Sequence, residues 1–145
     1  MNTNTMNNIQ WFFYNDEIIN ARMRDTGNKI STQQLETVVF DTTHDTVKFF
    51  LPINSYDAVE TVEMQTPLNV HQVLTMIQDF YKKPLEQETL QKSFQGESDD
   101  FYNAWRTYRN NVENLQNYHL LNDSSGLLQF RELVSIDDGY LVVVD

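Results

Sequence analysis

A chain of 145 residues with 40% hydrophobic and 12% aromatic content holds enough apolar material to bury one core and is not disordered as a whole. Its 21 Asp+Glu against 10 Lys+Arg leave a net charge of −11, which argues against nucleic acid and anionic membranes as partners, since both are held by Lys and Arg. The same field favours a basic protein partner, and the absence of cysteine excludes disulfides, thiolate nucleophiles and Cys-ligated metal.

The first residues, Met1 to Asn8, are polar and uncharged. They read as a flexible tail and lack the basic-then-apolar pattern of a signal peptide. No apolar run reaches the ~18–20 residues of a membrane span. The expectation is therefore an intracellular, soluble protein, with residues 9–145 as a single globular domain. Ile9 to Tyr14 is aromatic and apolar, and after a turn at Asn15-Asp16 the segment Glu17 to Arg24 continues as a second strand or as a short helix over Glu17–Met23. Residues Thr26 to Lys29 form a loop.

Val38, Val39 and Phe40 lead into Thr43-His44-Asp45, and Val47, Phe49, Phe50 and Leu51 follow, a pattern that predicts a hairpin ending at Pro52. Asp57 to Met64 alternates at Val59 and Val62 as one more strand. Val70, Val73, Leu74, Ile77, Phe80 and Tyr81 then make one apolar stripe at helical spacing. Asn69 and Gln72 form a capping box at its start, Leu68 and Val73 a hydrophobic staple, and Lys82, Lys83 and Pro84 close it. A second helix covers Glu86 to Phe94 and ends by Gly96. A third starts at Ser98 and carries Phe101, Ala104, Trp105, Tyr108, Val112 and Leu115. Leu121 to Gly126 is a loop, and the chain closes with a hairpin whose arms are Leu127–Val134 and Tyr140–Val144, turned at Asp138-Gly139. This order predicts an α+β fold, a mainly antiparallel sheet of about five to seven strands with two or three helices on one face. The uninterrupted apolar run Leu141 to Val144 belongs inside that sheet.

Candidate chemistry is sparse. His44 lies near Asp41 and Asp45, but no further His or Cys completes a ligand set, and these are common turn residues. His71 falls off the apolar stripe, and His119 suits a helix C-terminus. Glu97, Asp99 and Asp100 sit at a helix start, Asp137 and Asp138 in a turn, where Asp is favoured for mechanical reasons. The glycines, Gly27, Gly96, Gly126 and Gly139, are isolated, so no phosphate-cradling loop can be written, and no G-x-S-x-G elbow exists. Arg106 and Arg109 are offset by Asp99, Asp100 and Glu113. We therefore expect no catalytic, cofactor-binding or metal-binding residues. The surplus of bulky groups in Ile9 to Tyr14 is either covered on both faces or forms a partner-binding patch.

The stretch Thr66, Pro67, Val73, Leu74, Ile77, Phe80, Tyr81, Pro84 and Leu85, with Phe130, Leu133, Gly139, Tyr140 and Leu141 near the end, resembles a loose family of small uncharacterised proteins of large double-stranded DNA viruses of eukaryotes. The chain departs from that pattern at Arg131 and Glu132, where the family has Glu-Gly. The resemblance covers about half the chain and implies a viral protein acting in the infected-cell cytoplasm or in the virion, with no catalytic residues to carry over. Three functions are compatible with the residues. The first is a non-enzymatic interaction module, binding a basic protein or itself through an apolar patch ringed by acid. The second is an acidic decoy for a nucleic-acid-binding protein. The third is an enzyme in which His44 or His119 meets carboxylates.

Overall fold

The computed structural model describes residues 4–43, 45–54, 58–93, 98–111, 115–121 and 128–145. It is α+β, with eight strands in three sheets. The largest sheet has four strands in the order β5 (Val59–Gln65), β4 (Thr46–Pro52), β8 (Gly139–Val144), β7 (Phe130–Ile136). Two ladders of two strands each accompany it: β1 (Ile9–Gln10) with β2 (Arg22–Met23), and β3 (Val38–Phe40) with β6 (Leu68–Asn69). The expected single sheet is thus divided. Its centre is also a parallel pair, β4 with β8, whereas β4–β5 and β7–β8 are antiparallel. A parallel pair needs a crossover connection, and the helices between β5 and β7 lie within it.

Helix α3 (Val70–Lys82) is the element that the sequence describes most fully. The Asn69 side chain accepts from the Gln72 backbone N–H and the Gln72 side chain accepts from the Asn69 N–H, both at 2.8 Å. Val70, Val73, Leu74, Ile77 and Tyr81 are buried and Phe80 is half-buried. They pack with Phe49, Leu51, Phe130, Leu133 and Val142 in one core cluster against one face of the large sheet. The Tyr81 hydroxyl donates to the Pro52 carbonyl at 2.7 Å, and its burial pushes the phenol's pKa up. Helix α4 spans Gln87–Ser93 and α5 Ser98–Asn111. With Ile53, Leu85 and Leu120 they build a second, smaller cluster in which Leu90 is buried and Trp105 stacks on Tyr108 at 5.4 Å.

Three expectations are corrected. The hairpin over residues 38–51 does not form, because β5 and β8 occupy both edges of β4; β3 pairs with β6 instead, and Phe40 meets Phe49 and Tyr140 edge-on through its ring. The expected tail is ordered over its described part: residues 4–7 form the helical turn α1, Met6 is fully buried, and the Asn7 side-chain carbonyl accepts from the Leu133 backbone N–H at 2.9 Å, while residues 1–3 lie outside the described residues. The closing turn lies at Asp137-Asp138, one position earlier than expected, with Ile136 opposite Gly139. Asp137 takes the left-handed backbone at φ 42, a conformation Asp tolerates better than most residues. The strand β8 is interior, as its apolar run suggested. His44, Gly96, Glu97 and the 122–126 loop lie outside the described residues. Among the described residues no helix is long and apolar enough to cross a membrane.

Candidate interaction surface

Side chains on a strand alternate between the faces of its sheet. In the large sheet, Phe49 and Val142 turn to the face covered by α3, so Phe50, Leu141 and their cross-strand partners turn to the other. Register places Thr61, Phe50, Leu141 and Val134 in one row across the four strands. Val59 lies opposite Pro52 and Val143 opposite Glu132 in the row beside it, and Ile136 opposite Gly139 on the far side. Phe50, Pro52, Val134, Ile136, Leu141 and Val143 are half-buried, and none belongs to either core cluster. Among the described residues α1 meets β7, and no helix residue clusters with this face in either core. Among the described residues the result is a continuous apolar face outside the core, the kind of patch that marks an interaction site.

The rim is acidic. Glu63, Glu132, Asp137 and Asp138 are exposed around the apolar rows, with Lys48 as the cation among them. The Lys48 ammonium donates to Asp138 Oδ2 at 2.9 Å. That contact raises the lysine's pKa, with a smaller push from Glu63, and lowers that of Asp138. At the end of β7 and β8, Arg131 Nε reaches both oxygens of Asp145, at 2.7 and 2.8 Å, which raises the arginine's already high pKa. Gly139 lets the sheet close: a Cβ there would stand 2.5 Å from the Lys48 carbonyl oxygen and 2.7 Å from the Phe50 ring. The bare glycine gives the Phe50 ring its seat on the outer face.

The bulky run Ile9 to Tyr14 is not the patch. Ile9, Trp11 and Phe13 are buried, and Tyr14 stacks on Tyr118 at 3.7 Å and donates to the Gln116 side chain at 2.6 Å. Ile19 and Val38 are exposed, but as single side chains. Sequence reasoning did not single out this face because β4, β7 and β8 carry apolar residues at both parities. Such strands announce two faces to cover without saying which one finds its cover inside the chain.

An open cleft of about 390 Å³ between β5, the end of α3 and α4 gathers Glu60, Lys83, Glu86, Glu88 and Lys92. Both of its lysines are paired, Lys92 with Glu60 at 3.6 Å and Lys83 with Glu86 at 3.7 Å. Neither described histidine joins them. His71 is exposed beside Thr75, and His119 is exposed with its Nδ1 3.0 Å from the Gln116 backbone N–H. Among the described residues no group of three metal-ligating side chains comes together. Asp99 is exposed in the first turn of α5, Arg109 in its last, and Asp137 and Asp138 sit in the closing turn. No protein family, curated protein or solved structure matches this chain.

Proposed function

We propose that the protein is a non-enzymatic interaction module that binds another protein through the outer face of its four-stranded sheet. The observation that carries this reading is the row Phe50–Leu141–Val134, apolar, outside both cores and, among the described residues, without a covering layer. Two-layer α+β domains commonly leave one sheet face to solvent, but that face then alternates to polar residues. Here it stays apolar across three strands. The resemblance to proteins of large DNA viruses supports an infected-cell or virion setting. The surplus of acid around the face supports a protein partner over nucleic acid.

The test compares two baits in the native cellular setting, the wild-type chain and Leu141→Thr/Val134→Thr, which keeps strand-forming residues while removing the apolar row. A partner retained by the first and lost by the second supports the reading. Equal retention by both baits rejects it.

A further inference from the structure

We infer that the outer sheet face receives a single amphipathic α-helix whose apolar stripe is flanked by Lys and Arg. This rests on the reading of that face as an interaction surface and names its occupant. The first argument is internal. The inner face of the same four strands already holds one 13-residue amphipathic helix, α3. The outer face offers the same strands at the same spacing with an apolar centre, and among the described residues no helix clusters with it, so the described part of the sheet lacks one layer of an α/β/α sandwich.

The second argument is size. Four strands at ~4.8 Å spacing and about seven residues at ~3.4 Å rise span ~19 by ~24 Å. The apolar rows cover three of those strands, ~14 Å, which fits one helix of ~10–12 Å diameter and roughly 16 residues. The third is charge. Glu63, Glu132, Asp137 and Asp138 surround the face against Lys48, itself held by Asp138. A second copy of the chain, also at −11, would press one acidic rim on another. A helix with basic flanks meets the rim with opposite charge on both sides of its stripe.

The experiment uses the full-length protein and a fluorescein-labelled synthetic helix of 18 residues, leucine on one face and Lys/Arg on its flanks, beside the same peptide with Glu replacing every Lys and Arg. The inference expects saturable 1:1 binding of the basic peptide that weakens with added salt. It expects a loss of about tenfold for Leu141→Thr, the equivalent of one well-buried apolar contact, and a loss of salt dependence for Glu63→Lys/Glu132→Lys. Deuterium exchange should report new protection on β4, β7 and β8. Equal binding of the acidic peptide, or basic-peptide binding untouched by Leu141→Thr and by Val134→Thr, overturns it. If the basic peptide does not bind but the wild-type chain self-associates in sedimentation and Leu141→Thr does not, the occupant is a second copy: the inference falls while the interaction reading stands. If neither peptide binds and the chain stays monomeric, the inference falls, and the two-bait comparison decides the reading of the face by itself.

Discussion

Replacing Gly139 by alanine should destabilise the sheet at its parallel centre. The added Cβ would lie 2.5 Å from the Lys48 carbonyl oxygen, 2.7 Å from the Phe50 ring and 2.9 Å from the Lys48 Cβ, whereas non-bonded heavy atoms prefer roughly 3.5–4.0 Å. The Phe50 ring can rotate away. The Lys48 carbonyl cannot, because β4 is held by β5 on one side and β8 on the other. Overpacking of this kind costs about 1–3 kcal/mol. The lower backbone entropy of alanine returns roughly 0.5–1 kcal/mol of it, so the net loss is roughly 0–2.5 kcal/mol, centred on about 1 kcal/mol, and the melting temperature should fall by roughly 2–4 °C at that centre. Urea unfolding followed by the fluorescence of buried Trp11 reads the loss as a lower midpoint at unchanged slope.

Gly27 is the control, since it has φ 73 and open space around its Cβ position. There asparagine should be better tolerated than alanine, because asparagine accepts the left-handed region. At Gly139 asparagine should be worse than alanine, because the obstacle is volume. A Gly139→Ala midpoint at or above wild type would refute the close-approach argument.

Asn69→Ala should cost about 1 kcal/mol through loss of the α3 cap, read in the same urea experiment, and Ser31→Ala, at the capping box of the short helix over residues 32–35, should cost a similar amount. Tyr81→Phe strands the Pro52 carbonyl that the buried hydroxyl now satisfies, with an expected loss of about 1–3 kcal/mol. The Lys48–Asp138 pair has a defined pH signature. Asp138 has its pKa lowered in the fold by the Lys48 hydrogen bond, so its contribution is present above the unfolded carboxylate pKa and is lost as pH falls through the lower, folded value. Lys48 has its pKa raised, so its contribution is present below the unfolded lysine pKa and is lost as pH rises through the folded value. A carboxyl NMR titration should place the Asp138 midpoint below that of an ordinary Asp, and Lys48→Met should bring it part of the way back, since a backbone hydrogen bond also lowers it.

The helix α3 was legible to the residue, because its stripe, cap and stop are all local and agree with one another. The interior place of β8 was legible for a related reason: an uninterrupted apolar run cannot sit at a solvated edge. Pairing was not. Val38–Phe40 and Val47–Leu51 look like two arms of one hairpin, and the competition that separates them comes from β8, about ninety residues further on. The docking of Met6 depends likewise on a strand at the other end of the chain. The apolar outer face of the sheet was half legible. Apolar residues at both parities of β4, β7 and β8 say that two faces want cover, and only the tertiary arrangement decides that α3 takes one and leaves the other.

The seating of residues 4–11 along β7 bears on how the molecule folds. Asn7 binds Leu133, and the Trp11 carbonyl accepts from the Phe130 backbone N–H at 2.8 Å, so one segment of the fold is locked by another that lies 126 residues away at the Asn7–Leu133 contact. Until β7 and β8 dock, Met6, Ile9 and Trp11 lack their shelter and β4 lacks its parallel neighbour. Contacts this far apart in sequence cost loop-closure entropy before they return any stability, which slows their formation and leaves apolar segments uncovered in the meantime.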